Sequence, residues 1–394
     1  MKLNIKFDNL WLFVILALAF INKSCIDKYW PDNDLKFDKI MVVDGMITNK
    51  PGPYSVYLSL SSSVTDPEFI PLSNYTLIIL DDHDNHETLS YKGNGLYQSS
   101  VNGIQGEIGR RYKLVIHAHD EKVYESNYEL LREPSEIDTV YAELEFQTDS
   151  DYEYNLAGYQ FYVDTKKAEI DTNYILWKME YTFQYEANYL ARYVFDNYEM
   201  STLSPRDSLL TCWKTGKRNE IVTATTEILT EPVLIRIPLN YVTTETKELS
   251  IRYSMLVKQF TLNLDAYNFW SQLSEYTDYT PWIYFNQPYS VKGNIKSLDD
   301  EHEIVLGYFM AAGLDEKRIF VDKPLGVDWN YNTTCGFYTD DLTRRLHLMR
   351  NSWPVYLTKY FNGFNVVTAL PVEQYCVDCR KSGGVLEPPQ FWIE

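Results

Sequence analysis

The chain has 394 residues, and its 36 Lys and Arg against 55 Asp and Glu leave a formal charge of −19. An apolar share of 45% is ordinary for packed cores and excludes wholesale disorder, while a surface this acidic repels phosphate backbones and excludes general nucleic-acid binding. The aromatic share of 15%, carried by 33 Tyr, favours strands over helices, because aromatic side chains suit a pleated, half-buried surface.

Lys2 and Lys6 precede residues 10–21, an unbroken apolar run of twelve. A helix of that length rises about 18 Å, short of the roughly 30 Å core of a bilayer, so the run reads as a secretory signal and not as a span. Cys25 follows Ser24 directly, and a Cys just behind a signal's apolar segment is where bacterial lipoproteins are cut and acylated. Residues 1–24 are therefore the expected signal peptide, Cys25 the expected lipid attachment that would tether the protein to a membrane, and residues 25–38 an acidic linker. Asn22 and Lys23 depart from the small or apolar residues usual at those positions, and plain secretion, with Cys25 an ordinary cysteine, is the alternative. No later segment is apolar enough to span.

From Lys39 the chain turns into short strands. Residues 40–47 read as a strand broken at Gly45, and Pro51-Gly52-Pro53 as a turn. Residues 54–60 alternate, with Val56, Leu58 and Leu60 on one face. Further strands at 75–80, 87–91, 95–99, 112–118 and 122–126 lie between Gly- or Asp-rich turns. Strands at this spacing, with no helical period among them, predict an Ig-like antiparallel β-sandwich over residues 39–133, closing near Glu133-Pro134.

Residues 134–394 read as a larger β-rich domain, with its clearest strands at 156–164, 174–185, 233–238, 248–261 and 304–310. A helix is predicted over 264–276, where Leu264, Tyr267, Trp270 and Leu273 recur every third position. Asn263 or Asp265 can cap its start, and Pro281 follows its end. A second is predicted over 339–349, with Asp340 and Asp341 at the positive end of its dipole. The expected fold class is mainly β: a sandwich, then a β-rich domain with one or two packed helices.

Candidate chemistry is sparse. Residues 81–87 (Asp-Asp-His-Asp-Asn-His-Glu) gather oxygen and imidazole ligands, but a calcium loop needs Gly at its sixth position and Glu at its twelfth. His86 and Lys92 stand there, so a hairpin turn is the expectation. His117 and His119 share a strand face and with Asp120 could form a two-His-one-carboxylate site, yet they run into a solvated turn and no third distant ligand is identifiable. No Gly-x-Ser-x-Gly elbow, phosphate loop, dinucleotide fingerprint or zinc-protease helix occurs. No metal, cofactor or catalytic residue is expected.

Cys212, Cys335, Cys376 and Cys379 are an even set in an exported chain, and structural disulfides are the first expectation, with three connectivities open. The alternatives are a redox pair at Cys376 and Cys379, or a four-Cys zinc site, which usually uses two CxxC knuckles where this chain has one.

The order of several elements resembles a known family. They are Ser24-Cys25-Ile26-Asp27, then Met41-Val42-Val43-Asp44-Gly45-Met46-Ile47-Thr48 with Pro51-Gly52-Pro53-Tyr54, Gly95-Leu96-Tyr97 and Cys212-Trp213. Gly293-Asn294-Ile295-Lys296-Ser297, Leu306-Gly307-Tyr308-Phe309, and the terminal Cys376-Val377-Asp378-Cys379-Arg380 with Gly383-Gly384 and Phe391-Trp392 complete the series. Together they look like the domain of unknown function 4249 family, outer-membrane lipoproteins of Bacteroidota. The resemblance implies lipid attachment at Cys25, a terminal pair at Cys376 and Cys379, no assigned catalytic residue, and a surface or periplasmic accessory of a TonB-dependent outer-membrane transporter. With the signal, Cys25 and the missing catalytic motifs, the expectation is a non-enzymatic, surface-exposed lipoprotein. A cell-surface adhesin or envelope-structural protein, and a secreted glycan hydrolase with a carboxylate pair in its second domain, are the alternatives.

Overall fold

A computed structural model describes residues 39–62, 68–148, 155–167, 173–205, 207–277, 291–329 and 334–393. The expected signal peptide (1–24), Cys25, the linker (25–38) and Pro281 lie outside the described residues. Among the described residues no helix is long and apolar enough to cross a membrane.

Ten short strands come first: β1 (Met41–Thr48), β2 (Ser55–Leu60), β3 (Ile70–Pro71), β4 (Thr76–Asp81), β5 (His86–Thr88), β6 (Ser90–Gly93), β7 (Leu96–Gln98), β8 (Arg111–His117), β9 (Val123–Ser126) and β10 (Glu129–Leu130). β1, β2, β7 and β6 pair in that order with β3 on β2, and β9, β8, β4 and β5 form a second sheet with β10 on β8. Alternation sends Val43, Ile47, Val56 and Leu58 inward against Leu77, Ile79, Tyr112 and Leu114 in one buried cluster. Each such side chain contributes about 1.5–3 kcal/mol relative to leaving it in water. The expected sandwich is present.

The rest of the chain supplies β11 (Ile137–Gln147), β12 (Leu156–Thr165), β13 (Tyr174–Glu186), β14 (Tyr193–Asp196), β15 (Glu199–Thr202), β16 (Thr211–Lys217), β17 (Val222–Thr225), β18 (Ile237–Thr243) and β19 (Arg252–Leu262). Helix α1 (Leu264–Thr277), β20 (Ile295–Ser297), β21 (Leu306–Asp322), β22 (Phe337–Tyr338), helix α2 (Leu342–Leu348), β23 (Val355–Phe361) and β24 (Val366–Pro371) follow. β18 starts four residues later than the 233–238 strand expected there, and β21 continues twelve residues past the expected end at 310.

The sandwich is not a sequential module ending at Glu133. β21 pairs antiparallel with β19 through residues 313–322 and parallel with β1 through residues 306–312, with Val42 opposite Leu306 and Thr48 opposite Ala312. One ten-stranded sheet therefore runs β16-β13-β19-β21-β1-β2-β7-β6, with β17 on β13 and β3 on β2. β20 adds to the other sandwich sheet by pairing with β9. Strand-by-strand reading sees local hairpins, whereas these partners arrive more than 160 residues later in the chain, so the boundary expected near residue 133 is crossed by hydrogen-bonded sheet. Residues Ile40–Glu394 form one compact unit.

β13 and β19 are buried on both faces. Their odd-numbered residues, such as Trp177, Met179, Tyr253 and Val257, pack against Phe161, Val163 and Leu239 of a third sheet ordered β11-β12-β18. Their even-numbered residues Tyr174, Leu176, Phe260 and Leu262 pack beneath Ala266, Phe269 and Trp270 of α1. Asn263 caps α1 as expected, accepting the Ala266 N–H at 2.8 Å. Leu264, placed on the buried stripe by every-third spacing, is instead exposed, because a 3.6-residue period turns the face toward Ala266 and Phe269.

The fourth sheet, β15-β14-β23-β24-β22, encloses Phe195, Val355, Leu357 and Leu370 with Leu346 of α2. α2 is shorter than the 339–349 helix expected: Asp341, at a φ of 47° and without a side-chain cap bond, stands before it.

At the junction of the sheets Gly307 has a φ of +90°, and a Cβ there would stand 1.9 Å from the Val43 carbonyl oxygen. Gly307→Ala is expected to cost about 3 kcal/mol or more in denaturant unfolding, since both the backbone conformation and the β1 contact oppose a side chain. A loss under about 1 kcal/mol would mean that the β1–β21 pairing is not sterically tight.

Candidate functional site

The 81–87 segment is the expected hairpin turn. It joins β4 to β5, and Asp84 supplies the left-handed residue at a φ of 65°. Asp81, only 1% exposed, accepts the backbone N–H groups of His83 and Asn85 and the Asn85 side-chain amide, each at 2.9 Å. Arg110 Nη1 reaches the same carboxylate at 2.7 Å. Burial raises the Asp81 pKa, but the hydrogen bonds and Arg110 outweigh it and hold the carboxyl at about 2. Glu87 likewise accepts the N–H groups of Ser100 and Ile104, at 2.6 and 2.8 Å. Asp81 and Glu87 are thus fastening turns.

His117 and His119 are exposed at the end of β8. His117 pairs with Thr76 and Tyr112 with Asp81, so the His pair and the 81–87 turn lie at opposite ends of β4, about 17 Å apart. They do not converge. Among the described residues no group of three His, Cys, Asp or Glu is placed to hold a metal ion.

The four cysteines form two disulfides, Cys212–Cys379 and Cys335–Cys376. The terminal CxxC thus splits toward two different partners, which takes its thiols away from both the redox-pair and the zinc readings. Asp378 between them is fully buried and accepts Arg380 Nε and Nη2, both at 2.9 Å. The tail then crosses the end of the ten-stranded sheet. Val385 bridges to Trp213, Phe391 lies 3.6 Å below the Arg318 guanidinium, and Trp392 packs on Trp213 and Phe320.

Arg318, Phe320 and Trp213 share a sheet face with the residues under α1, because the registers keep Glu180, Lys217, Leu256 and Arg318 in one cross-strand row. One end of that face is covered by α1 and the other by the tail. Between them stays a groove of about 720 Å³, in the usual range for small-molecule sites, walled by Trp270, Phe260 and Leu314 and extending to Asp44 and Tyr57 on β1 and β2.

Charges sit on the groove's floor. Lys178 of β13 lies directly opposite Lys258 of β19, a like-charged pair that would repel if left alone. Lys258 is answered by Glu180 at 2.9 Å and Glu316 at 3.8 Å. Lys178 has no carboxylate or hydrogen-bond acceptor among the described residues; its ammonium lies over the Trp270 ring, 4.2 Å from the centroid. Burial pushes the Lys178 pKa down, Lys217 adds to that, and Asp44 opposes it.

A second polar node lies behind α1. Glu129 is 2% exposed and accepts the Asn263 side-chain amide, Asn294 Nδ2 at 2.9 Å and Tyr308 O–H at 2.7 Å. Burial raises its pKa, and the three hydrogen bonds oppose that. The node ties β10, the start of α1, the residue before β20, and β21 together.

Sequence reasoning missed Lys178, Glu180 and Lys258. The signal was there: each is a charge inside an otherwise apolar strand, Ile-Leu-Trp-Lys-Met-Glu-Tyr and Met-Leu-Val-Lys-Gln-Phe. A family model described as a domain of unknown function, DUF4249, matches residues 26–318. No curated protein matches the chain.

Two outcomes follow. The carboxyl of Asp81, lower in the folded protein than its ordinary 3.8, gives stability present above pH 4 and lost as pH falls toward about 2. Asp81→Asn is therefore expected to flatten the acid-unfolding curve in that window, read by circular dichroism, and an unchanged curve would remove Asp81 as an acid-sensitive tie. Cys379→Ser, which frees the tail from β16, is expected to cost about 2–5 kcal/mol in denaturant unfolding.

Proposed function

Since the chain belongs to the domain of unknown function 4249 family, we propose that it is a lipid-anchored, surface-exposed outer-membrane protein that captures a ligand for a TonB-dependent transporter without transforming it. The groove is the observation that carries this reading. It is preformed by strands fixed on both faces, open between α1 and the tail, and lined by aromatic rings together with a lysine that has no acceptor among the described residues. Such a surface suits reversible holding. The signal-like start and Cys25 support the membrane address, and Tyr and Trp side chains can stack on a ligand or on the transporter.

The β23–β24 hairpin offers a place for protein contact. Phe361, Phe364 and Val366 at its tip are 61%, 88% and 65% exposed, more than a solvated turn calls for. That same feature serves the adhesin reading. The hydrolase reading has four carboxylates lining the groove, of which Glu180 and Glu316 are engaged by Lys258 and Glu220 accepts the Asn240 side-chain amide.

The test is an affinity pull-down of the tagged, membrane-extracted protein, with partners identified by mass spectrometry. A β-barrel transporter recovered in near-equal amount is the expected result. A protein that comes down alone, or with glycan, overturns the transporter reading and brings the adhesin forward; cleaved glycan would bring the hydrolase forward.

A further inference from the structure

Lys178 sits in the middle of β13, half-buried, with a fully buried Trp177 on one side and the 1%-exposed Met179 on the other. An ammonium carries three N–H donors and no acceptor, and the face of an indole ring supplies attraction without accepting a directed hydrogen bond of ordinary strength. Every other cation on the groove's floor that is not freely solvated has a carboxylate: Lys258 has Glu180 and Glu316, and Arg218 has Glu248. Lys217, next along the face, is exposed to water. Among the described residues Lys178 is the half-buried cation of this floor that has no carboxylate. The buried Trp270 indole N–H has no acceptor among the described residues.

We propose that the groove binds a small organic monoanion, its carboxylate seated on Lys178 Nζ and its apolar body lying along Trp270 and Phe260. This deepens the capture reading and rests on it for the groove's role. A carboxylate supplies the acceptors that the Lys178 ammonium lacks, while the cross-strand neighbour Lys258 is already held by Glu180 and Glu316. A single charge fits better than two, because Asp44, Glu180, Glu220 and Glu316 also line the groove and repel a dianionic phosphate. The depressed pKa of Lys178 agrees with this, since a bound anion restores the ammonium that burial disfavours. The walls contribute by area: Phe260, Leu314 and the Trp270 ring are apolar surface that a ligand body covers.

The probes are 4-phenylbutyrate, its neutral amide 4-phenylbutyramide, and phenyl phosphate, each titrated into the full chain by tryptophan fluorescence and calorimetry. The carboxylate is expected to bind at least tenfold more tightly than the amide and more tightly than the phosphate. Lys178→Met should erase the preference for the carboxylate over the amide with the fold retained by circular dichroism, and Lys178→Arg should keep it. If Lys178→Met does not fold, protection decides on the unmutated chain: 4-phenylbutyrate, and not the amide, should slow acetylation of Lys178 by acetic anhydride at least fivefold, read by peptide mass spectrometry.

Equal affinity for acid and amide, tighter binding of phenyl phosphate, a carboxylate preference that survives Lys178→Met, absent protection, or no binding of any probe overturns the proposal. The two readings fail separately. An amide that binds as well as the acid leaves a capture groove without its charge assignment. A pull-down without a barrel, beside carboxylate binding through Lys178, leaves the site and removes the transporter.

Discussion

The parallel pairing of β1 with the first half of β21 is the constraint on which the rest of the molecule depends. β21 is one strand with two allegiances, to β1 through residues 306–312 and to β19 through residues 313–322. Because a strand cannot bend freely without losing its ladder, this single element forces the sandwich sheet and the sheet of β13, β16 and β19 to become one surface. Gly307 lets β21 approach the β1 backbone, and the Glu129 node locks the same region through Asn263, Asn294 and Tyr308. A carboxylate buried without a cation is costly, and three hydrogen-bond donors from separate segments are what make it tolerable there.

The groove is a consequence of that surface. A sheet buried on both faces has apolar residues throughout, and β13, β19 and β21 do wherever α1 or the third sheet covers them. The charged band of Lys178, Glu180, Lys258 and Glu316 occupies the stretch between α1, whose Trp270 borders it at Lys178, and the tail. The tail lies where it does because Cys212–Cys379 and Cys335–Cys376 fix its root and Trp213, Arg318 and Phe320 receive Phe391 and Trp392. Holding at one end and covering at the other leave an open, aromatic-edged channel in a protein of high negative charge.

Much of the fold was readable locally. Val56 and Leu58 announce a strand face by alternation, Asn263 announces a helix start, and the Asp- and Asn-rich 81–87 segment announces a turn. The even cysteine count favoured disulfides over a metal site. The domain boundary and the groove were not readable. A pairing such as Val42 with Leu306 leaves no mark within either strand, and a lysine in an apolar strand has the same spelling whether it faces a cavity, a partner or water.

The sequence by itself determined the strand-dominated class, the turn chemistry, the helix α1 with its cap, and the presence of thiols to be paired, because each follows from residues a few positions apart. Only the tertiary structure decided which cysteine meets which, that β20 and β21 complete the sandwich, and that Lys178 stands beside Trp270 with no carboxylate among the described residues. Those outcomes depend on long-range sheet register, which sums the burial of many residues far apart in the chain and is fixed only when all of them pack at once.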